Sequence, residues 1–135
     1  YRALTFSNLM AIYLKSGIGS LSAYCGVVTA ACASGAAITY LHGGSYETIT
    51  KTITNTLGNV SGIVCDGAKA SCAAKIASAV DAALMGHYLA MDSKTFSVGE
   101  GLIKENIDKT IWTISKMGRD GMKETDIEIL NLMIR

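Results

Sequence analysis

Between Leu21 and Leu41 the chain carries no charged residue for 21 positions, and most of those positions are Ala, Gly, Ser, Thr or Cys. About 20 apolar residues suffice to cross a bilayer, so the length alone would permit a membrane span. The content argues otherwise. Without a high share of Leu, Ile and Phe, transfer to lipid gains little. Small residues over this length suit a helix enclosed tightly by other helices. The expectation is a buried helix from about Ser20 to Leu41 and no membrane association.

The chain has no proline and 14 glycines. Glycine-marked ends without proline favour an all-α fold. Six helices are predicted, at 2–15, 20–41, 46–57, 72–90, 102–117 and 123–133, in a compact bundle forming a single domain over 1–135. Helices 20–41 and 72–90 are the two buried small-residue helices around which the others pack. Apolar positions are Leu4, Leu9, Ile12 and Tyr13 in the first helix. In the third, Ile49, Ile53 and Leu57 form a face opposite Thr and Lys. In the fifth, Ile103, Ile107, Ile111 and Ile114 form a stripe flanked by Trp112. The last helix is expected to bury Ile127, Leu130 and Met133 or Ile134. Gly43 reads as a left-handed cap, Ser45 and Ser71 as N-caps, and Gly58 as a helix end. His42 and His87 read as helix-end residues, and Arg119 with Asp120 as a turn ion pair.

A net charge of +1 and the lack of a basic run point away from nucleic acid. Residues 1 to 16 lack the basic start and small-residue cleavage site of a signal peptide. The chain starts at Tyr1, already in what reads as a helix interior, so a piece of a longer protein is expected.

Four cysteines stand at 25, 32, 65 and 72. A chain that is 50% apolar does not need disulfide staples, so its thiols are structural, catalytic or metal-binding. Cys32, inside "TAACASGAA", reads as packing. Cys65 sits in a loop beside Asp66-Gly67, and Cys72 opens a helix. A thiolate is favoured beside a helix N-terminus or a lysine, as metal ligation requires. Two metal chemistries remain open. Three thiols with His42 or His87 would suit zinc, although the spacing matches no zinc-finger pattern. Three cysteines would also suit an iron–sulfur cluster with one iron left open. The bland reading is a non-catalytic helical interaction domain with buried structural cysteines.

The segment "SGIVCDGAKASCAAKIASAVDAALMG" resembles the signature of the L-serine dehydratase α-chain superfamily, nearest the branch that includes bacterial and archaeal L-cysteine desulfidases. "YLKSGIGSLSAYCGVVTAACASGAAITYLHGG" and "NIDKTIWTISKMGRDGMKETDIEIL" are similar to the preceding and closing segments of that branch. The resemblance covers nearly the whole chain, and its "CDGAK.SC" core is the specific part. It implies the C-terminal, cluster-binding portion of a longer, cytoplasmic, iron–sulfur lyase, with a [4Fe-4S] cluster held by Cys25, Cys65 and Cys72. The implied reaction is β-elimination from L-cysteine, giving sulfide, ammonia and pyruvate, or from L-serine. The implied partners are the amino-acid substrate, the remaining N-terminal part of the enzyme, and a second copy in a homodimer. Ser22, Asp66, Gly67, Lys69 and Ser71 are candidates for substrate or outer-shell contacts. Asp66-Gly67 is equally a turn, Ser71 a cap, and Ser20 and Ser22 capping residues. No α-proton base stands out, so the fragment alone is expected to be inactive. The ending "NLMIR" lacks the tail cysteine that serine dehydratases can carry, which tilts the resemblance towards the desulfidases.

Overall fold

The computed structural model describes residues 1–134. It is all-helical: α1 (Arg2–Ser16), α2 (Gly26–Leu41), α3 (Tyr46–Val60), α4 (Cys72–Met91), α5 (Ile107–Lys116) and α6 (Lys123–Met133), with a π-helical turn, Met117–Gly121, between the last two. No helix among the described residues is long and apolar enough to cross a membrane.

The centre of the bundle is α2. Val28, Cys32, Ala33 and Ala36 are fully enclosed along it. Small side chains let the neighbours come close. A Cβ built on Gly35 would lie 3.0 Å from the Ala83 Cβ and 3.1 Å from the Ala83 carbonyl oxygen. On the α3–α4 side, a Cβ on Gly86 would lie 2.7 Å from Thr56 Oγ1 and 3.0 Å from the Thr52 carbonyl oxygen. Both glycines are therefore spacers, and helix axes at this separation exclude larger side chains.

Several expectations are corrected. Residues 20–25 are irregular, so the buried helix starts at Gly26. α4 buries only its second half, from Ala79 through Ala90, and its first turns stand largely exposed. α3 continues through Gly58 to Val60, and a Cβ built on Gly58 would meet the Phe96 ring at 2.8 Å. The threonine side of α3 is not a solvent face: Thr52, Asn55 and Thr56 are buried. Asn55 donates to the Lys94 carbonyl oxygen at 3.1 Å and accepts from the Phe96 N–H at 3.0 Å, pinning the loop after α4. α5 begins only at Ile107, because Asn106 accepts from the Lys109 N–H at 2.9 Å and caps it. Ile103 is buried ahead of that helix. α1 buries Leu14, while Leu4, Leu9, Ile12 and Tyr13 face outwards. α6 buries nothing: Ile127, Leu130, Met133 and Ile134 are all exposed. Apolar spacing marks a face that wants cover, and no described element covers these two.

The two capping glycine and serine expectations at the α2–α3 turn hold. Gly43 has φ +76°, and Ser45 accepts from the Thr48 N–H at 3.2 Å. Ser71, by contrast, precedes α4 without a side-chain cap bond.

His87 is not a helix-end residue. It is buried inside α4, with Nδ1 2.9 Å from Thr39 Oγ1, which in turn lies 2.8 Å from Thr52 Oγ1. His42 closes α2, its Nδ1 3.0 Å from the Ile38 carbonyl oxygen, and stacks on His87 at 4.9 Å. Burial, and then the neighbouring His42, hold His87 below the ordinary imidazole pKa.

Two outcomes follow from this packing. Gly86→Ala should destabilise the fold by about 1 kcal/mol, because overpacking at ~1–3 kcal/mol outweighs the ~1 kcal/mol gain in helix propensity. Urea unfolding followed by circular dichroism measures it, and an unchanged or higher midpoint would contradict the spacer role. The unfolded chain binds a proton at His87 more readily than the folded one, so stability is intact above the ordinary histidine pKa of about 6.5 and is lost as pH falls below it. The thermal midpoint should drop between about pH 7 and 5, and His87→Gln should flatten that drop.

Candidate metal centre

The sequence separates Cys25 from Cys65 by a helical hairpin, and the backbone brings them back together. Residues 23–25 run antiparallel beside 63–65, with Tyr24 bridged to Val64. The Cys25 N–H donates to the Ile63 carbonyl oxygen at 3.1 Å, and the Cys65 N–H donates to the Ala23 carbonyl oxygen at 2.6 Å. Each hydrogen bond holds one cysteine by its own main chain. Tyr24, between Ala23 and Cys25, turns into the core, where its hydroxyl is enclosed without a partner among the described residues. Burial, with the Cys32 and Cys25 thiols nearby, pushes that phenol far up.

Cys25 therefore lies at the N-cap of α2 rather than inside it. Cys72 is the first residue of α4, its N–H donating to the Lys69 carbonyl oxygen at 2.9 Å. Two of the three cysteines thus sit at the N-terminal ends of helices, the positive ends of the helix dipoles. Cys25 is buried, while Cys65 and Cys72 are half-exposed. Burial pushes the Cys25 thiol up, and the Val27 N–H draws it down. The Cys65 and Cys72 thiols raise it further, and the Lys75 ammonium opposes them. Cys32 stands apart, fully enclosed with its thiol 3.9 Å from the Ile53 carbonyl oxygen, and burial drives it far above the ordinary thiol range.

The other sequence candidates divide. Gly67 has φ +92°, the left-handed conformation that favours glycine, and lets the loop turn beneath Met133. Asp66 is paired with Lys75, whose ammonium hydrogen-bonds it and holds its carboxyl below the usual range. Ser22 is committed elsewhere: its hydroxyl donates to the Gly118 carbonyl oxygen at 2.6 Å and accepts from the Tyr24 N–H at 2.9 Å. It ties the cysteine segment to the π turn. Lys69 and Ser71 are exposed. Arg119 and Asp120 form the expected ion pair. Lys75, absent from the sequence candidates, lies three residues beyond Cys72 on the same side of α4, a spacing that could have marked it.

A zinc site completed by a histidine is ruled out by distance. Cys25 and His42 flank opposite ends of α2, whose 16 residues span ~24 Å, and His87 stacks on His42. Among the described residues, no three His, Cys, Asp or Glu side chains stand close enough to hold a single metal ion. Cluster ligands each bind a different iron and stand farther apart than the ligands of one ion.

A helical domain that presents three cysteines from two chain segments and a helix N-terminus is a thiol-bearing domain. Its family is shown directly: residues 1–131 match the model described as serine dehydratase alpha chain, and the chain belongs to that family. It is 58% identical over 134 residues to a UPF0597 protein of Treponema denticola, matching 99% of this chain and 31% of that one. It is 58% identical over 133 residues to a UPF0597 protein of Lachnoclostridium phytofermentans, matching 98% of this chain and 32% of that one. The chain thus spans about a third of the length of these relatives. No solved structure matches it.

Brief alkylation of the native protein should label Cys65 and Cys72 first, Cys25 more slowly, and Cys32 only on unfolding. Peptide mass spectrometry reads the order, and native labelling of Cys32 as fast as Cys65 would contradict the burial pattern.

Proposed function

We propose that this chain is the cluster-binding part of an iron–sulfur lyase, with Cys25, Cys65 and Cys72 holding a [4Fe-4S] cluster. The observation that carries the reading is the backbone pairing that sets Cys25 beside Cys65 across 40 residues, with Cys72 opening the helix that follows, while Cys32 is left in the core. The donor set suits the group: three soft sulfur ligands, two helix N-termini and one ammonium, Lys75, to offset thiolate charge. The half-exposure of Cys65 and Cys72 favours this over an interaction domain with merely structural cysteines, which would enclose all four.

The reaction proposed is β-elimination from L-cysteine or L-serine. A cluster iron without a cysteine ligand supplies Lewis acidity towards the β-substituent and carboxylate of such a substrate. The chain's own contribution is to hold and orient. A cleft of about 250 Å³ lies beside Cys65, lined also by Ser20, Ser22, Gly67 and Asp126, and offers room for a small amino acid. The α-proton base is assigned to the rest of the longer protein, since both histidines stand at the far end of α2. The same remainder, or a second copy, is assigned to the uncovered apolar residues of α1 and α6. The full protein is read as cytoplasmic, and this chain alone as inactive.

Anaerobic reconstitution with iron and sulfide should give a broad brown absorbance. Cys65→Ala or Cys72→Ala should abolish it, and Cys32→Ala should keep it. A colourless wild-type chain, or colour indifferent to Cys65 and Cys72, would sink the cluster reading. Anaerobic assay of the full-length protein with both amino acids then separates desulfidase from dehydratase.

A further inference from the structure

Lys75 makes two contacts that neither helix formation nor solubility requires. From the second turn of α4 its ammonium reaches back to the 61–71 loop. There it donates to the Val64 carbonyl oxygen at 3.0 Å and to the Asp66 carboxylate. Val64 and Asp66 are the residues on either side of Cys65. The side chain is only 24% exposed, so most of it is laid down along the protein surface rather than free in water.

We infer that Lys75 is a positioning residue that clamps Cys65 to the helix carrying Cys72. The inference deepens the cluster reading and rests on it for its functional meaning. Cys65 is then held on two sides. The bridge to Ala23 fixes it against Cys25, and Lys75 fixes it against α4, one turn after Cys72. The clamp has a geometric and an electrostatic part. The loop turns at Gly67, at positive φ, and the Lys75 side chain ties the residues before that turn to α4. The same ammonium sits against the main chain next to Cys65, one turn after Cys72, so it brings a positive charge to the cysteine segment. Asp66 keeps that cation in place and on the loop side.

Three variants separate these parts. Lys75→Met keeps the stem and removes the charge and donors. Lys75→Arg keeps both. Asp66→Asn keeps the link to Val64. Amide exchange in the cluster-free chain reads the clamp. Lys75→Met should speed exchange at the Cys65 and Cys25 amides about tenfold, the scale of one charge-assisted hydrogen bond, with the amides of α2 and the second half of α4 unchanged. Lys75→Arg should restore protection, and Asp66→Asn should show a smaller loss in the same direction. The thermal midpoint should barely move, because the Lys75–Asp66 pair is part-exposed. In the reconstituted chain, Lys75→Met should shorten the lifetime of the colour under chelator about tenfold. It should also move the reduction potential negative, since a nearby cation favours the added electron, and Lys75→Arg should do neither. Unchanged exchange at Cys65 in Lys75→Met, or an Arg variant that fails to restore it, overturns the inference. So does a Lys75→Met chain whose colour and potential match wild type. A wild-type chain that takes up no cluster defeats the proposed function instead, and the exchange experiment still decides Lys75.

Discussion

The contact on which everything else depends is the close approach of α2 to α4 at Gly35 and Ala83. It sets the distance between two helices that present thiols at their N-terminal ends, Cys25 at one and Cys72 at the other. With α3 held to α4 by the absence of a side chain at Gly86, three helices become one rigid frame. Larger residues at these points would push the axes apart, and interiors packed this densely cannot absorb the change locally. The charge-free stretch from Leu21 to Leu41 is thus the sequence form of a spacing requirement.

Within that frame, the cysteine region solves an electrostatic problem. Burial, and then the Cys65 and Cys72 thiols, push the Cys25 thiol up. Helix N-termini and a single ammonium work the other way. Both the spacing and the charge of the site are thereby set by backbone and a lysine, with no need for a preformed cage of ligands.

Much of the fold was legible because glycine placement, capping residues and the small-residue run each have a direct local cause. Ser45 and Gly43 behave as read, and six helices appear in the expected order. What failed were statements about partners. Ile127 and Leu130 have core spacing, yet spacing cannot say whether a neighbour exists within this third of the relatives' length. Thr52 and Thr56 look like a wet face because threonine is polar, but their hydroxyls bond helix carbonyls or Thr39, so burial costs little. At the candidate site, the cysteines were visible as residue types and their set came from the family resemblance. Lys75 stayed hidden inside an alanine-rich helix, because its meaning lies in two loop residues it reaches only after folding.

The pairing of Tyr24 with Val64 has a consequence for timing. A growing chain emerges from its N-terminus, so Cys25 waits while the whole α2–α3 hairpin is made before its opposing strand arrives. Cys72 and then Lys75 follow almost at once. The backbone pairing of Cys25 and Cys65 therefore forms only after loop closure across some 40 residues has been achieved. A nascent chain therefore carries Cys25 unpaired by backbone for the 40 residues that separate it from Cys65, and gains Cys72 and Lys75 within ten residues more.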